Sequence, residues 1–495
     1  MSECLLELRG INKSFGGVQA LKEINMNIYT GQVLCLAGEN GCGKSTLIKI
    51  ISGFYEPDGG CILMDGKTYG KMNLREAIKA GIQVVYQDFS IFPNLTVYEN
   101  IALNSMLVNR KKLVSRGRMK EIAVTALAQI GADIPLTANV EALSVADKQL
   151  VAIARAIVND ARLLILDEPT SALTNREVKE LFRVIEGLKE KGIAIVFVSH
   201  KLDEIFRICD RVSVLSNGKS VIEDNIEKFD KKKLVYYMTG KEYNDKSLAS
   251  DVTGAEPVMT VKGLGRKDCF EDISFELYPG EVLGITGLLG SGRTELAQAV
   301  YGITPADKGE IRIKGETVRI RSVKDGLKHK IAYIPEDRLT EGLFLPQSIS
   351  RNMIISSLWK VTNSMGVLNQ EKIEGGVKEW VEKLKVKTDN PENPVDTLSG
   401  GNQQKVVLAK GLNTEPDIII LNCPTVGVDI GSKMDISRLM QQVAKQGIGV
   451  ILISDDSNEI LVNCRRFLMI KNGQIQGEYR SEDFTEESLY TELIC

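Results

Sequence analysis

The segment Gly38-Glu-Asn-Gly-Cys-Gly-Lys44-Ser45 has the residue types and spacing to hold a polyphosphate. Its glycines let consecutive backbone N–H groups turn inward around phosphate oxygens, so Gly38, Asn40, Gly41, Cys42, Gly43 and Thr46 contribute through the main chain. Lys44 neutralises the β and γ oxygens, and Ser45 ligates Mg²⁺. Further along, the apolar run Leu163 to Leu166 ends in Asp167-Glu168. One carboxylate there can hold Mg²⁺ and the second can polarise an attacking water; the plainer reading is a strand that ends in solvated acids. Ser199-His200 follows the next apolar run, and His200 is one of two histidines in the chain. Alone it reads as a surface or capping residue, and only its order after the two phosphate motifs marks it as catalytic. Gln87, in Val84-Val-Tyr-Gln-Asp-Phe, lies between a β-run and a helical insertion, where an amide can reach both Mg²⁺ and the water. Ser399-Gly400-Gly401-Asn402-Gln403 opens the helical stretch Gln404 to Leu412. It forms an anion-binding helix end suited to a γ-phosphate arriving from another subunit or domain; simple capping by Ser399 is the alternative.

The elements that must position these residues read as a parallel α/β core with a helical insertion. Val33 to Ala37 is a short apolar run that enters the glycine-rich turn and then the periodic stretch Lys44 to Ile51: strand, loop, helix. Leu163 to Leu166 and Ile193 to Ser199 are buried-strand candidates. Between them, Thr174 to Lys191 places Val178, Leu181, Phe182, Ile185 and Leu188 on one helical face. The insertion includes an amphipathic helix over Arg118 to Ile130.

The whole pattern occurs twice. Gly38 to Gly287 and Gln87 to Glu336 are offsets of 249, whereas Ser144 to Ser399, Asp167 to Asn422 and His200 to Asp455 are offsets of 255. This is a tandem duplication with one small length change in the middle. It gives domains at 1–240 and 258–495, joined by a polar, turn-rich linker at 241–257. The second copy departs at its chemical positions: Arg293-Thr294 follows the loop Gly287 to Gly292, Asn422-Cys423 replaces the acid pair, and Asp455 replaces the histidine.

A chain of 495 residues has room for two such domains. A net charge of −3 with interspersed signs offers no basic face, which weighs against nucleic acid as a main partner. Nine scattered cysteines without a CxxC pair suggest reduced thiols in a cytosol. Cys42 offers redox sensitivity within the loop, although a small residue filling it explains the position equally well. The start, Met1-Ser-Glu-Cys-Leu-Leu-Glu-Leu, alternates like a strand and does not read as a signal peptide. Apolar runs such as 193–198 fall far below the ~18 residues that span a bilayer, so any membrane span comes from another polypeptide.

In this order, the glycine loop, Gln87, the Leu-Ser-Gly-Gly signature, Asp167-Glu168 and His200 resemble an ABC ATPase over nearly the whole chain. Gly292-Arg293-Thr294, with Glu336-Asp337-Arg338 and Gly342-Leu343, is similar to the fused ATP-binding subunits of bacterial monosaccharide importers of the ribose, galactose, xylose and autoinducer type. The resemblance implies an α/β fold of two tandem P-loop ABC ATPase domains, each with a parallel-sheet core, an antiparallel β region and a helical subdomain. It implies ATP and Mg²⁺ as ligands, and an ATPase on the cytoplasmic face of the cell membrane. The implied partners are integral-membrane permease subunits and, indirectly, a periplasmic or lipid-anchored sugar-binding protein.

By the same analogy, Phe15 stacks on adenine. Lys44, Ser45, Gln87, Asp167, Glu168 and His200 act with Ser399, Gly400, Gly401 and Gln403 in one competent composite site. The other site, with Arg293, Thr294, Glu336, Asn422, Cys423 and Asp455 facing Ser144 to Asp147, is silent and holds Mg²⁺ poorly. The segments 88–100 and 337–352 are the implied permease-docking grooves. A soluble duplicated ABC ATPase acting on ribosomes or nucleic acid is the alternative; it lacks support in any long charged linker or zinc-binding cysteines.

Overall fold

A computed structural model describes residues 3–86, 90–108, 115–158, 160–171, 173–241, 255–363 and 365–494. The chain divides into two compact units, Met1–Tyr243 and Asn244–Cys495. The expected linker falls largely on 242–254, outside the described residues.

In the first unit a six-stranded sheet runs in the order Lys219–Asn225, Arg211–Ser216, Val33–Ala37, Ala194–Val198, Leu163–Asp167, Ile82–Val85. Only the outermost pair, at the Lys219–Asn225 edge, is antiparallel. Val33–Ala37 and Ala194–Val198 are buried at every position, as continuous apolar strands covered on both faces must be. A separate four-stranded antiparallel sheet orders Val18–Tyr29, Cys4–Phe15, Gly59–Met64 and Lys67–Tyr69. The helical part consists of Val97–Val108, Arg116–Ile130 and Val145–Ile157.

The second unit repeats this plan. Its six-stranded sheet runs Ile331–Ile334, Ile418–Asn422, Gly449–Ile453, Val282–Thr286, Arg466–Lys471, Gln474–Arg480, beside an antiparallel sheet of Phe270–Leu277, Met259–Arg266, Lys308–Ile313 and Glu316–Val318. Both units are therefore α/β, with parallel cores, antiparallel β regions and helical subdomains.

Element ends differ from the sequence reading where caps decide them. The helix expected over Arg118 to Ile130 begins at Arg116, because the Ser115 side chain accepts from the Arg118 N–H. The helix after Thr174 begins at Asn175, with Thr174 and Glu177 forming a reciprocal capping box. The signature helix begins at Gly400 rather than Gln404, so both glycines lie in its first turn.

The single expected length change is two changes. Phe92 N–H donates to Asn100 Oδ1, and Phe344 N–H donates to Asn352 Oδ1, each at 2.8 Å. These pairs match at an offset of 252, midway between 249 and 255. The first added three residues coincide with the π-helical turn Arg338–Gly342. The next three fall between Asn100 and the bridge Thr96↔Asn139, whose counterpart is Ser348↔Pro394.

Each unit buries a glutamate held by neighbouring hydroxyls. Ser199 Oγ and Thr170 Oγ1 donate to Glu204 Oε2 at 2.8 and 2.7 Å, and Ser454 Oγ donates to Glu459 Oε2 at 2.5 Å. Burial first, then the Asp456 charge, pushes the Glu459 carboxyl from 4.5 up to about 7. Between those values the folded unit keeps a proton that the unfolded chain has released. Stability therefore falls as pH rises from 4.5 to about 7 and is level above. The expected loss is about 3 kcal/mol, and Glu459→Gln should remove it. Urea unfolding of both proteins from pH 5 to 8 tests this; parallel pH profiles would refute it.

Candidate functional site

The first glycine loop leaves the buried strand Val33–Ala37 and ends at the helix Lys44–Ile51, whose first turn carries no acid. Glycine is required at both loop ends. A Cβ on Gly38 would lie 2.3 Å from Leu215 O, and one on Gly43, at φ +106, would lie 2.6 Å from Leu21 Cδ2. Lys44 is 8% exposed and its Nζ donates to Gly38 O at 2.7 Å and Glu39 O at 2.9 Å, which curls the loop around the ammonium. A glycine loop closed about one cation at a helix start is an anion cradle. The Cys42 thiol is buried, 3.9 Å from Lys44 Nζ, and burial holds it above the usual thiol range. It is therefore a poor nucleophile, and its geometry favours the small-filler reading over redox sensitivity.

Asp167 closes the strand Leu163–Asp167, and Glu168 follows at φ 48, a strained left-handed conformation for a side-chain-bearing residue. His200 Nδ1 donates to Glu168 Oε1 at 3.3 Å. That bond, ahead of opposing desolvation, holds Glu168 below the usual carboxylate range. Burial and the adjacent Glu168 charge instead raise Asp167. Two acids driven in opposite directions divide the labour: Glu168 stays an ionised base, and Asp167 is a desolvated carboxylate that a divalent cation would relieve. With the Ser45 hydroxyl, Asp167 fits the hard oxygen set of Mg²⁺, which supplies charge neutralisation at the β- and γ-phosphates when bound. Gln87 lies outside the described residues. Phe15 ends the strand Cys4–Phe15, 41% exposed, edge-on to Tyr55 at 5.1 Å and beneath Lys13 Nζ at 5.4 Å.

The second unit preserves the backbone and changes the chemistry. Cys423 takes φ 46 where Glu168 takes 48, and its N–H donates to Ile453 O at 2.8 Å as Glu168 N–H donates to Val198 O at 3.0 Å. Burial pushes the Cys423 thiol up to about 12, so no base stands there. Arg293, 2% exposed, donates to Gly287 O at 2.5 Å and pairs with Asp455 at 3.4 Å. Asn422 Nδ2 donates to Tyr333 OH at 3.3 Å and to Thr294 Oγ1 at 3.4 Å. Thr294, Tyr333, Glu336 and Asn422 line a cleft of about 400 Å³.

The two signature helices differ at their starts. Ser144 Oγ accepts from Asp147 N–H at 3.1 Å and donates to Asp147 Oδ2 at 2.8 Å, so hydroxyl and carboxylate both occupy the helix start. Ser399 makes no such cap. Its Oγ accepts from Asn402 Nδ2 at 2.9 Å, and the first turn carries no acid. Gly401 also has a packing reason, because a Cβ there would lie 2.0 Å from Ser432 Oγ. Gln403 is buried, with Nε2 donating to Val395 O at 3.4 Å.

Sequence reasoning missed Tyr333, and it named Arg338 only as part of the Glu336-Asp337-Arg338 pattern without its contacts. Tyr333 stacks on Tyr301 at 5.5 Å, and Arg338 fastens its turn to Val426 O at 2.8 Å and Gly427 O at 3.3 Å. It also missed the Ser199–Glu204–Thr170 network, although Ser454, Glu459 and Thr425 repeat it at the offset of 255 already visible in the chain.

The loop, the acid pair and the duplicated sheets together define a nucleoside-triphosphate hydrolase. The ABC transporter family model matches residues 21–171 and 270–426. The chain belongs to that family and is an ABC-type ATPase. The ribose import ATP-binding protein RbsA of Caldanaerobacter subterraneus subsp. tengcongensis is 39% identical over 99% of this chain and 99% of its own length. RbsA 2 of Agrobacterium fabrum is 39% identical over 99% and 97%, and RbsA 2 of Rubrobacter xylanophilus 40% identical over 98% and 93%. Among solved structures, cbiO1 of Clostridium perfringens, part of the ABC transporter complex cbiONQ, aligns with 47% of this chain and 93% of its own at 30% identity, with a TM-score of 0.42.

Proposed function

We propose that this ATPase is the energy-coupling subunit of an importer for a monosaccharide or similar small polar solute, with ribose the first candidate. The observation that carries the chemistry is the Glu168–His200 contact of 3.3 Å beside Asp167 and the Lys44 loop. Glu168 takes a proton from the attacking water, His200 orients that base, Lys44 neutralises the γ-phosphate, and Ser45 and Asp167 hold Mg²⁺. Turnover further depends on Ser399 to Gln403, whose uncapped helix start suits phosphate, whereas Asp147 makes the corresponding start at Ser144 unfit for it. Arg293, Asn422 and Cys423 bind nucleotide without turning it over. Import is supported by full-length relatives named for ribose import; the soluble alternative gains no support from them.

No helix among the described residues is long and apolar enough to cross a membrane. On the importer reading, the chain works peripherally, on the cytoplasmic face, through permease subunits. Two surfaces suit that docking. Asn100 and Asn352 are fully or almost fully buried, and each fastens its loop by donating to carbonyls, Phe92 O at 2.9 Å and Phe344 O at 3.1 Å. The loops present Phe92 at 47% and Phe344 at 58% exposure, apolar contacts for a short permease helix.

The test is ATPase assay of the chain reconstituted with its permease and binding protein. Ribose-loaded binding protein is expected to stimulate turnover several-fold. Stimulation by ribosomes or nucleic acid, with no response to any monosaccharide, would overturn the reading.

A further inference from the structure

The second unit lost a carboxylate at Asn422 but holds one where the first unit has an amide. Gln87 and Asp167 in the first unit correspond to Glu336 and Asn422 in the second, at the offsets of 249 and 255. Amide and carboxylate have changed places, and the number of charges on the pair is unaltered. Such an exchange has a consequence only if both side chains meet one ligand. Thr294, Glu336 and Asn422 do line one cleft, of about 400 Å³. Asn422 is 0% exposed, and its Oδ1 has no hydrogen-bond partner. Its Nδ2 is spent on Thr294 Oγ1 and Tyr333 OH. A buried amide oxygen without a donor calls for a partner, and an amide is free to present either polar atom to the cleft.

We infer that the second unit retains a divalent-cation site for its nucleotide, with Glu336 supplying the carboxylate and Asn422 Oδ1 and Thr294 Oγ1 the neutral oxygens. Mg²⁺ ordinarily takes one or two protein carboxylates and completes its shell with phosphate and water, so one glutamate and two neutral oxygens suffice. Asp337, Arg338 and Glu341 line the same cleft, and Glu336 is the acid among them at the position that corresponds to Gln87. Tyr333 OH is engaged by the Asn422 amide at 3.3 Å. Asp337 is spent on its own turn, accepting from Leu339 N–H at 2.9 Å and Thr340 N–H at 3.2 Å. The retained cation replaces the expectation that the second site holds Mg²⁺ poorly. It adds no base, so the site stays silent.

The inference rests on the reading that the second unit binds nucleotide. Lys44→Ala in the full chain removes the first unit's contribution, and fluorescent mant-ATP is titrated with Mg²⁺ or with EDTA. Binding is expected to be about 10- to 100-fold tighter with Mg²⁺. Adding Glu336→Gln should bring the two affinities to within about threefold, and adding Asn422→Asp to that protein should restore the preference by returning the carboxylate to its other position. Equal affinity in Mg²⁺ and EDTA, or a preference indifferent to Glu336→Gln, overturns the cation site alone. Absence of binding in both conditions overturns nucleotide binding by the second unit and the cation site with it.

Discussion

Glu168→Gln is expected to lower ATP turnover by about 10²- to 10⁴-fold, equivalent to roughly 3 to 5 kcal/mol of transition-state stabilisation, with nucleotide affinity unchanged. The amide keeps the size of the carboxylate and can still accept from His200 Nδ1, so the geometry at the strand end survives. What disappears is the proton acceptor. Glu168 is fitted to that task because the His200 bond keeps it ionised while burial raises its neighbour Asp167. The equivalent position in the second unit offers no substitute: Cys423 takes the same left-handed backbone conformation, but its thiol is held at about 12. Single-turnover hydrolysis and mant-ATP titration of the two proteins decide the matter. Residual turnover above about a tenth of wild type would mean that another group serves as base.

The chemistry-bearing loops were legible in the sequence because their function fixes their spacing. A glycine loop must place amides, a cation and a hydroxyl around one polyphosphate, and only a few spacings do so. Strands such as Val33–Ala37 were legible because burial on both faces leaves an uninterrupted apolar run. The helix starts were less so, since they depend on individual side chains: Ser115 starts its helix two residues before Arg118, and the signature helix takes in both glycines after Ser399. Tyr333 had no local signal, and the Glu336-Asp337-Arg338 pattern did not reveal what Arg338 holds. Tyr333 matters through the Tyr301 ring and the Asn422 amide, both far away in sequence, and Arg338 through carbonyls 88 and 89 residues distant. The buried glutamates show a different failure, because the repeat carried the information: Ser199, Glu204 and Thr170 recur 255 residues on. The two-step length change was hidden because Asn100 and Asn352 read only as the ends of two helix starts until their amides are seen to fasten Phe92 and Phe344.

The second large effect separates the signature helices. Ser399→Arg is expected to reduce turnover by about 100-fold or more, the scale of losing a donor to the transferring phosphoryl group, whereas Ser144→Arg should leave it within about threefold. The two substitutions have similar bulk and charge, so the difference must come from what each helix start does. At Ser399 the hydroxyl leaves the first-turn amides uncapped, no acid stands in that turn, and Gly400 and Gly401 offer only backbone. An arginine there fills the space that a phosphate needs. At Ser144 the hydroxyl already satisfies the Asp147 N–H, and the Asp147 carboxylate holds the position an anion would take. Substituting Ser144 therefore removes a cap, worth about 1 kcal/mol of stability, rather than a catalytic contact. Thermal unfolding measured beside turnover keeps the two effects apart: Ser144→Arg should shift the melting temperature with little change in rate, and Ser399→Arg should do the reverse. Equal losses of turnover from the two variants would mean that both signature helices serve hydrolysis, and the single competent site would have to be abandoned.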